Sequence, residues 1–110
     1  MHELGLLSGV VSAVEYTTDR RVLEVGLSVG ELSDVVEESL YAAWPLAIAG
    51  TRCAEARLQV TMIPATVFCP TCNTEQHIDE FFALSCPACG TPTADLRHGR
   101  EFSLDYVDVE

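Results

Sequence analysis

Four of the five cysteines form two C-x2-C pairs, and this spacing constrains the fold more than any other feature of the sequence. The pairs are Cys69-Pro-Thr-Cys72 and Cys86-Pro-Ala-Cys89, separated by 13 residues. Each pair presents two thiolates to one ion from a single tight turn, and two such turns complete a tetrahedron that suits Zn(II). The sequence therefore predicts a structural zinc bound by all four of these cysteines.

The residue that follows each pair supports this interpretation. Asn73 and Gly90 both tolerate the positive φ that a chain often needs to turn back over a metal. Two disulfides are a weaker alternative, because no signal peptide is evident and disulfides are rare in reducing compartments. A rubredoxin-like iron centre also stays open, because C-P-x-C-G turns occur at iron sites too. Absorbance would separate the two metals, since an iron tetrathiolate is red and zinc is colourless.

Hydrophobic periodicity outside the cysteine pairs predicts one helix and three strands. Apolar residues recur every three or four positions in residues 4–16, which is helical spacing. Strict alternation in residues 23–29 and 58–62 indicates strands, with Leu23 on the inward face of the first. Alternation resumes from Phe102, and we expect a bulge or shift of face near Val107.

A second helix is predicted between the first two strands. Ser33 or Asp34 could cap it, and Asp34 with Glu37 has the spacing of a capping box. Pro45 lacks the amide hydrogen that a helix interior needs, so we expect a kink or an early stop there. Gly50 marks the expected end.

The order α-β-α-β, metal lobe, β predicts an α+β fold. We expect residues 1–65 and 101–110 to form a two-layer domain, with two helices packed on a small three-stranded mixed sheet. Residues 66–100 would form a zinc-ribbon-like lobe inserted between the last two strands of that sheet. Because the lobe is small, zinc must supply much of its folding free energy. Its main apolar residues are Phe68, Ile78, Phe81, Phe82 and Leu84.

The formal charge is −11, from 17 acidic residues against 6 basic ones, all of them arginine. Such a surface repels phosphate backbones and attracts cations and basic partners, which disfavours a zinc ribbon that binds nucleic acid. A zinc-stabilised protein-interaction module is the less specific alternative. The chain has no lysine and no recognisable catalytic triad or phosphate loop, so we do not expect an enzyme. No apolar stretch is long enough for a membrane span, and we expect a cytoplasmic protein.

His2 lies directly beside the amino terminus. The amine of Met1, the imidazole of His2 and the intervening backbone nitrogen can converge on one ion, and Ni(II) accepts such a square-planar set of nitrogens. A lone terminal histidine is a weak signal, and a chance residue on a frayed end is the alternative interpretation.

Three further residues could take part in metal or redox chemistry. Cys53 is the odd thiol, and we interpret it as a small buried hydrophobe, with a redox thiol as the alternative. His77 and His98 flank the cysteine lobe and could supplement a sulfur ligand. Surface histidines are the favoured interpretation, because four cysteines already complete the site.

Together these features resemble the HypA/HybF family of hydrogenase nickel-incorporation proteins. The likeness spans essentially the whole chain, and its most specific element is the MHE start combined with the two cysteine turns. The residues that carry it are Met1-His2-Glu3-Leu4, Gly30-Glu31-Leu32-Ser33, Val36-Glu37-Glu38-Ser39, Gly50-Thr51 and the CPTC and CPAC pairs.

The resemblance implies a nickel metallochaperone for [NiFe]-hydrogenase maturation. It implies Ni(II) held by the amine of Met1, the backbone nitrogen and imidazole of His2, and the backbone nitrogen of Glu3, with the zinc lobe structural. Implied partners are a HypB-type nickel GTPase and the hydrogenase large subunit, some relatives also serve urease, and a homodimer is left open. The turns here carry Pro70 and Pro87 with no abutting histidine, so a histidine response to nickel or acid would rest on His77 and His98.

Overall fold

The computed structural model describes residues 2–79 and 84–110, and this part of the chain contains two helices and six strands. The element order matches the predicted α-β-α-β, metal lobe, β. The elements are α1 (His2–Thr17), β1 (Val22–Gly30), α2 (Glu37–Ile48), β2 (Arg57–Ile63), β3 (Thr66–Cys69), β4 (Thr74–His77), β5 (Leu96–His98) and β6 (Phe102–Val109).

Strands β2, β1 and β6 form a mixed sheet in that order. The central strand β1 is parallel to β2 and antiparallel to β6. A parallel pair needs a crossover connection, and α2 supplies it. The predicted three-stranded mixed sheet with two helices is therefore confirmed.

The main core lies between the two helices and one face of this sheet. The apolar stripe of α1 is buried there as predicted, and α2 contributes a second stripe that includes Trp44. The indole nitrogen of Trp44 donates a hydrogen bond of 2.8 Å to the carbonyl of Ala56, so its polar atom is satisfied inside the core. The buried helical residues are Leu7, Val10, Val11, Val14, Leu40, Ala43, Trp44 and Ile48.

The strand pairing contains two bulges that shift the predicted faces. In β1 the register shifts between Val22 and Glu24, so Val22 is fully buried while Leu23 is only half-buried, contrary to the prediction. In β6 the shift falls between Leu104 and Tyr106, close to the change of face expected near Val107. An extra residue in one strand of a pair moves the side chains beyond it to the opposite face of the sheet. The alternation of apolar and polar residues in the sequence does not reveal where such a bulge falls.

The start of α2 differs from the prediction. The helix begins at Glu37, and its N-cap Val36 is extended with no side-chain cap. Asp34 adopts a φ of 64°, and the hydroxyl of Ser33 donates to the carbonyl of Gly30 at 2.8 Å, so neither side chain caps the helix. The predicted capping box is wrong because the left-handed turn at Asp34 adds residues before the helix.

The end of α2 lies beyond Pro45. The helix continues to Ile48, so the expected early stop is wrong, and Trp44 and Ile48 on either side of the proline are buried in the core. Packing of this face outweighs the lost amide hydrogen bond. Gly50, with a φ of 75°, follows the helix end as expected.

Strands β4, β3 and β5 form a second, antiparallel sheet that lies in sequence between β2 and β6. Its own core is small. Ala65, Val67 and Ile78 are buried, and Leu32 and Leu96 pack against them. The lobe thus has little hydrophobic stabilisation of its own, in agreement with the sequence prediction.

The predicted apolar set of this lobe is only partly confirmed. Ile78 is buried, and Phe68 is half-buried with the guanidinium of Arg97 stacked 4.5 Å from its ring centroid. Leu84 is 59% exposed, because it occupies a left-handed turn with a φ of 61° instead of a strand. Phe81 and Phe82 lie outside the described residues.

The two sheets meet where the end of β1 crosses the segment after β5. The amide of Gly30 donates to the carbonyl of Glu101, and the amide of Leu32 donates to the carbonyl of Gly99, each at 2.7 Å. A Cβ on Gly30 would overlap the carbonyl group of Gly99, so the close crossing requires glycine. Backbone hydrogen bonds therefore connect the first sheet directly to the cysteine lobe, the part of the chain that contains β3, β4, β5 and the two cysteine pairs.

Candidate metal centres

The four cysteines predicted to bind zinc lie close together in the cysteine lobe. Their sulfurs all lie within 4.8 Å of one another, and the Sγ atoms of Cys69 and Cys89 are 3.5 Å apart. A tetrahedral zinc with Zn–S bonds of about 2.3 Å requires S···S distances of about 3.8 Å. The sulfur cluster therefore fits Zn(II), with Cys69 and Cys86 buried and Cys72 and Cys89 facing the surface.

Both cysteine pairs lie in equivalent turns. The amide of Asn73 donates to the carbonyl of Cys69 at 2.8 Å, and the amide of Gly90 donates to the carbonyl of Cys86 at 2.9 Å. Asn73 has a φ of 55° and Gly90 a φ of 79°, so each residue adopts the positive φ that its type favours. The amide of Cys72 also points at the sulfur of Cys69, at 3.3 Å, which stabilises thiolate charge.

Thr91 is a site residue that cysteine spacing alone does not identify. Its hydroxyl lies 3.1 Å from the sulfur of Cys89 and 2.8 Å from the hydroxyl of Thr71, inside the first cysteine pair. It thus connects the two turns beside the metal ligands. The available sequence signal is a hydroxyl residue directly after the Cys89-Gly90 step.

The sulfurs influence one another's ionisation. The hydroxyl of Thr91 is the main cause that lowers the pKa of Cys89 to about 6. A hydrogen bond to the neighbouring sulfur of Cys89, and next to that of Cys69, raises the pKa of Cys72 to about 12, because these bonds favour its protonated thiol. A bound dication would stabilise four thiolates in place of protonated thiols, so zinc affinity should fall as pH falls.

His77 and His98 lie away from the cysteine cluster. Both are exposed and flank Thr66 across the second sheet, with His77 Nε2 at 3.1 Å from Glu31 and His98 Nδ1 at 2.8 Å from Glu101. Within the described ranges, the cysteine cluster is the only group of three or more Cys, His, Asp or Glu side chains close enough to hold an ion. The two histidines are surface residues, as the favoured interpretation holds.

Two of the three residues predicted to bind nickel, His2 and Glu3, lie in the first turn of α1. His2 opens the helix with its side chain 60% exposed, and its Nδ1 lies 3.8 Å from the carboxylate of Glu3. The first four amide groups of a helix have no partner inside it, so the backbone nitrogens of His2 and Glu3 are not committed to helical hydrogen bonds. Met1 is outside the described residues.

The carboxylate of Glu3 connects the amino terminus to α2. It accepts a hydrogen bond of 3.4 Å from the amide of Val36, the N-cap of a helix that has no cap from its own side chains. Contact with its own amide, and next with that of Val36, lowers the pKa of Glu3. The starts of the two helices therefore lie side by side.

Cys53 is fully buried in the main core. Its amide donates to the hydroxyl of Thr51 at 3.0 Å, and burial raises the pKa of its thiol. A buried neutral thiol is a weak nucleophile. The structure supports the interpretation of Cys53 as a core residue.

Comparison with known proteins decides the family. The model of the family described as "Hydrogenase/urease nickel incorporation, metallochaperone, hypA" matches residues 1–109. The chain belongs to the HypA family. Relatives named hydrogenase maturation factor HypA include one from Chloroflexus aggregans, 38% identical over 114 residues with 99% of each chain covered. Another, from Geobacter sulfurreducens, is 34% identical over 111 residues with both chains fully covered.

The fold agrees with that of solved HypA structures. The solution structure of the Ni metallochaperone HypA from Helicobacter pylori aligns with a TM-score of 0.68 over 97% of this chain and 96% of that one, at 16% identity. HypA proteins are nickel metallochaperones for hydrogenase maturation and not enzymes, so the family and function predicted from the sequence are confirmed. Neither described helix has the length and hydropathy needed to cross a bilayer.

Proposed function

We propose that this HypA protein carries Ni(II) at its amino terminus, on the amine of Met1, the imidazole and backbone nitrogen of His2, and the backbone nitrogen of Glu3. The observation that supports this site best is the position of His2, an exposed imidazole at the start of a helix whose first amides lack helical partners. Four nitrogens in one plane suit a d8 ion such as Ni(II).

The chemistry of these donors suits a carrier that must release its cargo. An α-amino group has an ordinary pKa of about 7.7–8.0, so Ni(II) competes with a proton at neutral pH. Binding should therefore weaken as pH falls from about 8 to about 6. The exposed imidazole leaves the ion within reach of a second protein.

The other parts of the proposal follow from the two sheets and the family. Residues 1–65 with 101–110 act as the nickel-binding domain, and residues 66–100 act as a structural zinc lobe. The nickel is exchanged in the cytoplasm with a HypB-type nickel GTPase and delivered to the large subunit of a [NiFe]-hydrogenase. Membership of a family that acts in hydrogenase and urease nickel incorporation supports these partners.

Nickel titration of His2 variants tests the site. His2→Ala, or an uncleaved extension before Met1, should reduce nickel affinity below detection by calorimetry while zinc content and the circular dichroism spectrum stay unchanged. His77→Ala is the matched control, because its side chain is 61% exposed against 60% for His2, and it should bind nickel normally. Unchanged affinity in both amino-terminal variants would contradict the proposed site.

A further inference from the structure

The outer edge of β2 is closed by side chains from α2. Strand β2 is an outer strand of the mixed sheet, so one side of its backbone has no strand partner there. The amide of Val60 donates to the hydroxyl of Tyr41 at 3.0 Å, and the carbonyl of Ala56, directly before the strand, accepts from the indole of Trp44 at 2.8 Å. The two residues of α2 therefore satisfy backbone groups along this edge and hinder the addition of a further strand.

The opposite edge of the same sheet, β6, is open. This strand has 8 residues and pairs only with β1. Within residues 2–79 and 84–110, no side chain forms a hydrogen bond with a backbone group of residues 102–109. Leu104, Tyr106 and Val109 are 39%, 40% and 36% exposed. An open edge of this length is a template for one more strand.

The side chains along β6 differ between the two faces of the sheet. On the face covered by the helices, Leu104 and Val107 align with buried residues of β1. On the other face, Asp105 contacts two serine hydroxyls, and Asp108 aligns with Glu24. Because neighbouring strands place their side chains next to each other on each face, an added strand would meet apolar groups on one face and carboxylates on the other.

The charge along β6 favours a basic strand. Residues 102–109 contain no lysine or arginine. The carboxylate of Asp108 is exposed and has no ion-pair or hydrogen-bond partner among the residues that the structure describes. A basic side chain on an added strand would pair with this carboxylate, and the net charge of −11 would attract such a segment from a distance.

A second copy of this chain suits the edge poorly. Pairing of two β6 strands would bring the acidic side chains of both copies together, and like charges across a strand pair are destabilising. The bulge at Asp105 also interrupts the regular edge along which identical strands pair. The same acidic residues that disfavour a copy attract a strand of opposite charge.

We propose that β6 is a docking strand, to which a partner protein adds an extended segment of alternating apolar and basic residues. The backbone of this segment forms hydrogen bonds with the open edge. Its apolar side chains lie beside Leu104 and Val107, and its basic side chains contact Asp105 and Asp108. The docking strand contains none of the nickel donors, so this surface goes beyond the proposed function.

A peptide with this pattern tests the edge. The probe is acetyl-Val-Arg-Val-Arg-Val-Arg-amide, which is titrated into the zinc-loaded full chain and followed by amide NMR shifts and hydrogen exchange. Slowed exchange is expected in residues 102–109 and not in residues 57–63, which form the closed edge.

Two control peptides separate strand addition from simple charge attraction. In the first, glutamate replaces each arginine, which reverses the charge and keeps the alternation. The second is the Val-Arg peptide methylated on every backbone nitrogen, which keeps the charge but cannot donate backbone hydrogen bonds. Each should bind at least about tenfold more weakly than the probe.

A charge reversal on the strand tests the carboxylate. Asp108→Lys should weaken binding of the Val-Arg peptide at least about threefold, because a cross-strand charge pair changes from attractive to repulsive. Glu38→Lys is the matched control, since it makes the same change in net charge at an exposed carboxylate of α2, and it should bind nearly as the wild type does. Nickel titration of Asp108→Lys should match the wild type, so a docking failure is separable from a failure of the nickel site.

Three results would overturn the docking proposal. They are unchanged hydrogen exchange in residues 102–109 with the probe, binding of either control peptide as tightly as the probe, or equal losses in Asp108→Lys and Glu38→Lys. Sedimentation of the chain alone completes the test. A wild-type dimer whose β6 amides are protected without peptide would assign the edge to a second copy and would also overturn it.

Discussion

Gly30 and Gly9 occupy positions with different steric constraints: one has no room for a Cβ and the other has ample room. Gly30 ends β1 against the backbone of Gly99, where a Cβ would overlap a carbonyl group that cannot move without displacing the chain crossing. Gly9 lies on the exposed face of α1, and a Cβ there meets nothing within 4 Å. The first glycine is required by tertiary packing, and the second only weakens its helix.

Alanine substitution at the two glycines should therefore have opposite effects. Gly30→Ala should lower the free energy of unfolding by at least about 2 kcal/mol, because backbone must shift. Gly9→Ala should raise it by about 0.5–1 kcal/mol, because glycine disfavours helix interiors. Urea denaturation of the zinc-loaded protein measures both. A neutral Gly30→Ala variant would show that the crossing between the lobes is loose.

At the level of elements, the loop between β1 and α2 contacts both the amino-terminal turn and the cysteine lobe. At its start, the carboxylate of Glu31 accepts a hydrogen bond of 2.8 Å from the amide of Ala65 and lies 3.1 Å from His77 Nε2. At its end, the amide of Val36 donates to the carboxylate of Glu3 at 3.4 Å. This loop therefore links the first turn of α1 to the sheet of the cysteine lobe.

Glu31 should make the attachment of the lobe depend on pH. The amide of Ala65, and next the hydrogen bond with His77, lower the pKa of Glu31 below its ordinary value of 4.5. A carboxylate with a lowered folded-state pKa stabilises the fold above the unfolded-state value, and the contribution is lost as pH falls through the folded-state pKa. The difference in unfolding free energy between the wild type and Glu31→Gln should thus be constant near pH 7 and shrink below about pH 4.5.

Paired thermal denaturation of the two proteins from pH 7 to pH 3.5 measures that difference. Both proteins have the same cysteines, so zinc loss at low pH affects each of them and cancels in the comparison. A difference in unfolding free energy that stays constant down to pH 3.5 would show that protonation of Glu31 does not contribute to the loss of stability in acid.

At the level of the whole molecule, the two sheets lie along one long axis. The extents are 52 × 25 × 17 Å, and the helical core and the cysteine lobe have separate apolar clusters. The helical core buries most of the large apolar residues, while the lobe combines a cluster of only three buried apolar residues with four sulfurs. The two parts therefore depend on different sources of stability.

Zinc removal should unfold the lobe and spare the helical core. Structural zinc contributes about 10–16 kcal/mol in small peptides, far more than three buried apolar residues can replace. After chelation, amide NMR signals of residues 66–100 should collapse to unfolded positions while those of residues 1–65 and 101–110 keep their dispersion. Nickel titration of the same sample should still report amino-terminal binding.

Loss of dispersion across the whole chain would show that the two parts fold as one unit, against the proposed domain boundaries. Retention of the lobe's signals without metal would show that zinc is not needed to hold its structure. Either result is visible in one pair of spectra with and without chelator.

Features governed by neighbouring residues were predictable from the sequence. The two cysteine turns, with Asn73 and Gly90 at positive φ, depend on a few consecutive residues, and the stripe of α1 depends on helical spacing. The element order follows from the same short-range patterns. Local spacing and backbone preference suffice for these features because each turn and each stripe forms its defining contacts within a few residues.

Features that depend on distant partners were decided by the tertiary structure. Pairing with β6 sets the bulge that buries Val22 in place of Leu23, and Glu3, 33 residues away, contacts the N-cap amide that the expected capping box leaves free. Packing of Trp44 and Ile48 carries α2 through Pro45. The sequence alone determined the zinc-binding turns and the order of elements, whereas the strand register and the start of α2 required the assembled fold, because their energies arise between residues far apart in the chain.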